Sequence, residues 1–279
     1  MKAILVPTDF SKQAEFALQA AAEIAEKAKA LLIVLHVIEE PSGDSFTVDG
    51  EYIPEDYENR RFTLLLIRKR REQLQGLASM EYLKSLNAKF ELKIGDTFHG
   101  ITNIILEHKV DLIIMGTSSH TDGESIGTIT NKVIRHSKCP VMTINHPCPK
   151  SAYKNIVYAT NMSTTEEVFT RIVRTAQNLY DATVHLVRIN TPSNFLADHI
   201  AKKELSEFAK IHQFKNLTIN VFSDITEEDG IRNFSEEINA DLIAIATHGR
   251  SGLMHLLSRS ISKEVLNHSE RAVMTFLVK

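Results

Sequence analysis

Three short stretches place polar or glycine-bearing residues directly after apolar runs: PTDFS (7–11), VLHVI (34–38) and MGTSSHTDGESIGTITNKVI (115–134). The Asp9 carboxylate can accept hydrogen bonds from a ribose hydroxyl or an amine. Asp9 or Ser11 is equally suited to capping the helix that follows. Backbone groups at His36 and Val37 can meet a base edge, although a histidine at a strand end often has no chemical role. Gly116 lets a ligand approach the main chain. Gly127 and Thr128 open a helix whose free N–H groups and dipole attract an anion. A glycine near a helix start is, alone, a weak indication.

The elements that position these residues occur twice. KAILVPTDFS (2–11) aligns with KNIVYATNMS (154–163) at an offset of 152, and LLIVLHVI (31–38) with TVHLVRIN (183–190) at the same offset. GITNIILEHKVDLIIMGT (100–117) matches GIRNFSEEINADLIAIAT (230–247) at 130, and NKVIRHSKCPVMTI (131–144) matches KEVLNHSERAVMTF (263–276) at 132. The fall from 152 to 130 gives the first half 22 extra residues in its middle. The rise from 130 to 132 makes its loop before the last helix two residues shorter.

Within each half, short apolar runs alternate with stretches of helical spacing. AILVP, LLIVLHVI, KFELKI, DLIIMG and VMTIN suit strands, while SKQAEFALQAAAEIAEKA, GITNIILEHKV and NKVIRHS suit helices. That alternation predicts an α/β fold: two homologous doubly wound, Rossmann-like parallel-sheet domains in tandem. The expected domains are 1–147 and 153–279, meeting in the proline-bearing NHPCPKSAYK (145–154). Such sheets bind ligands at the carboxyl ends of their strands.

Composition removes several function classes. With 43% hydrophobic and 24% charged residues the chain is an ordinary soluble one, and a net charge of −3 gives no reason to bind nucleic acid or an acidic membrane surface. No apolar run reaches the roughly 20 residues of a membrane span, so the expected location is cytoplasmic. Cys139 and Cys148 lack CxxC spacing and read as reduced thiols. The 12 histidines show no HExxH spacing, so no metal site is expected. No phosphate-loop signature, GxGxxG or nucleophile–base pair is present, so catalysis has no residue-level support. The basic run IRKRRE (67–72) reads as a solvated helix face, and the acidic 39–61 stretch before it as a loop or lid near the second strand.

PTDFS, VLHVI, DLIIMGT and SKCPVMTI in the first half, with ATHGRSGL and HSERAVMTF in the second, give the chain its resemblance to a tandem universal stress protein. The resemblance covers essentially the whole length. It implies a stress-response regulatory protein, not an enzyme, that holds ATP, with or without Mg2+, at the strand ends. Carried onto this chain, it implies that Pro7, Thr8, Asp9 and Val37 surround the adenosine, and that Met115 and Gly116 face base and ribose. Gly127, Thr128 and Ile129 would present N–H groups to the phosphates. It further implies that the last strands pair across the two domains as a pseudo-dimer, and that the chain forms a homodimer.

The first half departs from the family pattern. Ser119 replaces a glycine, and only seven residues (120–126) precede Gly127 where nine are expected. Asp122 and Glu124 in that loop would repel polyphosphate unless a metal ion bridges them. The second half offers a possible second site at Gly249, Arg259 and Ser260, but has Ala246, Arg259, Asn161 and Ala159 at positions where the family carries glycine, glycine, aspartate and proline. The alternative expectation is a protein-interaction module that binds no nucleotide and acts through its pseudo-dimer.

Overall fold

In this computed structural model, the described residues are 1–39, 45–46, 52–53, 57–117, 127–147, 153–162, 166–248 and 271–278. In the first half they form β1 (Ala3–Pro7), α1 (Lys12–Ala28), β2 (Leu31–Ile38), β3 (Ser45–Phe46), β4 (Tyr52–Ile53), α2 (Tyr57–Ala78) and α3 (Glu81–Lys84). β5 (Ala88–Ile94), α4 (Thr97–His108), β6 (Leu112–Gly116), α5 (Thr128–His136) and β7 (Val141–Ile144) complete it. The second half has β8 (Asn155–Ala159), α6 (Glu167–Tyr180), β9 (Thr183–Asn190), α7 (Asp198–Ile211), β10 (Leu217–Ser223), α8 (Glu227–Glu237), β11 (Leu242–His248) and β12 (Ala272–Val278).

The local chemistry explains the elements. Ile4, Leu5, Val6, Leu32, Ile33 and Val34 are completely buried, as unbroken apolar strands must be when helices cover both faces of the sheet. α1 buries Ala14, Ala17, Leu18, Ala21 and Ala25, the spacing of one helix face. Ser11 caps it by accepting the Ala14 N–H, and Lys29 ends it in the left-handed conformation. α4 starts three residues before the expected stretch because Asp96 accepts the His99 N–H and caps the helix there. The 39–61 stretch is not all loop: it contains the antiparallel β3–β4 pair and the first turn of α2.

All strands except β3 and β4 join one ten-stranded sheet, ordered β10-β9-β8-β11-β12-β7-β6-β1-β2-β5. Each half is parallel, and the halves meet at the antiparallel β7–β12 pair. The expected pairing of the last strands is thus present. On one sheet face a single core runs through both halves, from Ile24 of α1 to Phe169 of α6. Lys27 lies 5.2 Å over the Tyr180 ring, and Tyr180 meets Tyr153 edge-on at 5.0 Å. On the other face each half has a core of its own.

The duplication extends to backbone detail. Phe10 and Met162, Lys29 and Asp181, and Lys109 and Asn239 are matched pairs in the left-handed region. Asp111 accepts the N–H groups of Lys2 and Ala3, and Asp241 those of Lys154 and Asn155. No helix among the described residues is long and apolar enough to cross a membrane.

Candidate functional site

The carboxyl ends of β1, β2 and β6 open onto a cavity of about 460 Å3, closed on one side by the start of α5. Pro7, Thr8 and Asp9 reach it from β1 and Val37 from β2. Met115 and Gly116 reach it from β6, and Gly127, Thr128 and Ile129 from α5. Four separated chain segments therefore bring nine of the ten first-half candidates to one place. The tenth, Ser119, lies outside the described residues, as do Asp122 and Glu124.

The turn after β1 is tightly specified. Thr8 N–H bonds Leu35 O at 2.8 Å, which ties the turn to β2. Its hydroxyl accepts the Phe10 N–H at 3.0 Å and supports the left-handed φ of 66° at Phe10. Of the two readings of Asp9 and Ser11, Ser11 is the helix cap. Asp9 instead closes a local turn, its Oδ1 accepting the Ser11 N–H at 2.9 Å. Asp9 is exposed at the cavity, and Oδ2 has no protein partner among the described residues.

His36 is buried, with Nδ1 2.7 Å from Thr8 O. A carbonyl oxygen can only accept, so Nδ1 carries the hydrogen and Nε2 of the neutral ring is an acceptor. Burial is the main cause that lowers its pKa; the nearby Arg70 charge adds to it, against the Thr8 bond. Phe10 packs on His36 at 4.6 Å, and the Arg70 guanidinium lies 5.5 Å from the Phe10 ring centre. The run 67–72 is therefore split. Arg68 is a solvated partner of Glu72, whereas Arg70 reaches back to the edge of the site.

The two glycines have different reasons. A Cβ on Gly116 would lie 2.3–2.5 Å from backbone atoms of Gln13 and Ala14, so this glycine lets α1 approach the strand. A Cβ on Gly127 would meet nothing within 4 Å. Gly127 is the N-cap of α5 and supplies no side-chain acceptor, which leaves the first N–H groups of that helix for a ligand.

Glu39 and Thr97 are among the lining residues that sequence reasoning did not single out. Glu39 follows β2 and accepts a hydrogen bond from Thr97 Oγ1 at 2.9 Å, bridging the cavity rim to α4. Their only signal was position, one directly after VLHVI and the other beside the cap Asp96.

In the second half, Asn161 and Ala159 line a cavity of about 390 Å3 at the corresponding strand ends. Gly249, Arg259 and Ser260 lie outside the described residues. Elsewhere Glu91, Glu107 and His108 bring ligand atoms within 4.8 Å of one another, a grouping that motif spacing did not reveal. His108 Nε2 lies 3.1 Å from Glu91 Oε1, so the cluster is accounted for by its own hydrogen bonding. It sits at the far end of α4 from Thr97, about 16 Å along the helix. Cys139 is buried, and Cys148 lies outside the described residues.

Comparison with known proteins agrees with this architecture. The family model described as "Universal stress protein family" matches twice, over residues 1–145 and 152–276. Two universal stress proteins of Methanocaldococcus jannaschii are similar. One is 29% identical over 153 residues, 51% of this chain and 94% of its own length. The other is 26% identical over 148 residues, 52% of this chain and 83% of its own. A universal stress protein structure from Archaeoglobus fulgidus matches with a TM-score of 0.75 at 19% identity, covering 99% of this chain and 98% of that one. That likeness speaks to the fold.

Proposed function

The chain belongs to the universal stress protein family, and from that premise we propose that its first half binds an adenine nucleotide, ATP, as a regulatory ligand without turning it over. The observation that carries this reading is the convergence of nine candidate residues from four chain segments on one cavity. Its 460 Å3 lies within the roughly 300–1,000 Å3 of small-molecule sites.

The residues suit the parts of the ligand. Pro7, Val37 and Met115 provide apolar surface for a base, and Nε2 of neutral His36 offers an acceptor at the same strand end. Oδ2 of Asp9 is free for ribose hydroxyls. The uncapped N-terminus of α5, from Gly127 through Ile129, supplies N–H donors and a favourable dipole for phosphate. Asp9 and Glu39 are carboxylates and oppose a highly charged anion placed close to them. The phosphates therefore belong at the α5 end.

The polar contacts described at this cavity serve binding or local structure, the Thr97–Glu39 hydrogen bond bridging its rim to α4, which is why binding is the reading proposed. The test is calorimetric titration of stripped full-length protein with ATP and AMP, with and without Mg2+. Saturable heat that weakens in Asp9→Ala supports it. The absence of heat at millimolar nucleotide, in wild type and in a variant with two residues restored to the 120–126 loop, would sink it.

A further inference from the structure

The second half keeps a strand-end cavity whose walls have changed in charge. Arg188 stands at the position of His36 in the repeat, and Glu227 at the position of Thr97. Both line the 390 Å3 cavity. A neutral ring and a hydroxyl in one half have become a permanent cation and a carboxylate in the other.

The guanidinium is only partly satisfied. Arg188 donates through one terminal nitrogen to Asn194 O at 3.0 Å, while its Nε is buried and has no hydrogen-bond partner. Buried donors are rarely left unmet, and an arginine N–H edge is shaped for a carboxylate. Glu227 accepts from Asn194 Nδ2. Burial is the main influence on its carboxyl group and raises its pKa, with Asn194 and the Arg188 charge opposing. A ligand cation beside it would favour the ionised form.

The remaining surroundings argue against a nucleotide. Glu166 replaces Ala14 of the first half and is completely buried. It accepts from Tyr158 Oη at 2.6 Å and from Thr160 Oγ1 at 2.8 Å. Thr160 itself lines the cavity. A polyphosphate would thus meet the Glu227 carboxylate in the lining, with the acidic side chain of Glu166 buried behind Thr160 and Arg188 already in the field of Glu227. Asn161 and Ser193 add uncharged polar groups to the lining, and Ala159, Val187, Ile189 and Ile231 form its apolar part.

We propose that this second cavity binds a small zwitterion with an apolar body, the class of the apolar α-amino acids. Its carboxylate pairs with the terminal nitrogen of Arg188 that Asn194 leaves unused, its ammonium faces Glu227, and its side chain lies toward Ile189 and Ala159. This site is separate from the nucleotide cavity, so either can fail without the other.

The test uses the full chain and three probes: L-leucine, isocaproate, which lacks the ammonium, and isoamylamine, which lacks the carboxylate. Leucine is expected to bind with a Kd below about 1 mM, and each partial probe at least about tenfold more weakly. Arg188→Gln and Glu227→Gln should each weaken leucine binding by about tenfold or more while ATP titrations stay unchanged. Cooperative thermal unfolding checks the fold of each variant. If Arg188→Gln unfolds, Arg188→Lys keeps the charge, loses the fork, and should also bind leucine more weakly. The proposal is overturned by no leucine binding to wild type at about 10 mM, by undiminished binding in folded Arg188 variants, or by isocaproate binding as tightly as leucine.

Discussion

Met142 of β7 and Met274 of β12 face each other at the centre of the antiparallel junction. They are the same residue of the repeat, 132 positions apart. The neighbouring pairs are symmetric too, Thr143 with Val273 and Val141 with Thr275. Thr143 Oγ1 donates to Val273 O at 3.2 Å and Thr275 Oγ1 to Val141 O at 3.4 Å. A pseudo-twofold axis therefore passes between the two methionines, and each half completes the sheet edge of the other. Burying that edge removes the exposed strand that an isolated half would present.

Met142 and Met274 are 2% and 1% exposed, so truncation opens a cavity in the shared core. Each Met→Ala change should cost about 2–5 kcal/mol in urea unfolding. Because the residues are register partners across the axis, the double variant should depart from additivity. Additive losses would indicate that the halves are energetically independent.

Gly116→Ala and Gly127→Ala should behave oppositely. The first drives a Cβ into the backbone of Gln13 and Ala14, which cannot rotate away, and should cost about 1–3 kcal/mol or more. The second enters open space and should change stability by less than about 1 kcal/mol. It should nevertheless weaken ATP by several-fold, because a methyl group then stands at the α5 N-terminus. Thermal unfolding and calorimetry on both variants check this.

Stability should fall on mild acidification. Burial lowers the pKa of His36, His185 and His212 from 6.5, so the fold favours their neutral rings. Their effect is absent well above 6.5, and stability is lost as pH falls from there through the lowered folded values. Urea midpoints across that window should decline, and His36→Gln should flatten the decline. An unchanged slope in His36→Gln would show that this ring does not contribute.

Burial pushes the Cys139 thiol up to about 11, outweighing the Ser137 hydrogen bond. In a Cys148→Ser background it should resist a thiol reagent near pH 8 until the protein unfolds. Labelling of the native protein at the rate of a free thiol would contradict the burial described.

The repeat made the fold legible. Matching KAILVPTDFS with KNIVYATNMS, and RAVMTF with CPVMTI, located the strands, because buried parallel strands leave apolar runs that survive duplication. The start of α4 was misjudged because Asp96 precedes the apolar spacing and acts through one side-chain hydrogen bond. Gly116 read as a glycine that lets a ligand approach the main chain, but what approaches it is the start of α1, a tertiary fact. The Phe10, His36 and Arg70 stack joins residues up to 60 positions apart and leaves no local pattern. Nor does the orphaned Nε of Arg188, which depends on what surrounds it in space.

The most direct test of the nucleotide reading is a backbone amide NMR titration of 15N-labelled protein with ATP. The account predicts that Thr8, Val37, Gly116 and Thr128 shift together and saturably, while Arg188 and Asn194 stay in place. No shifts at millimolar ATP, or shifts confined to the second half, would contradict it.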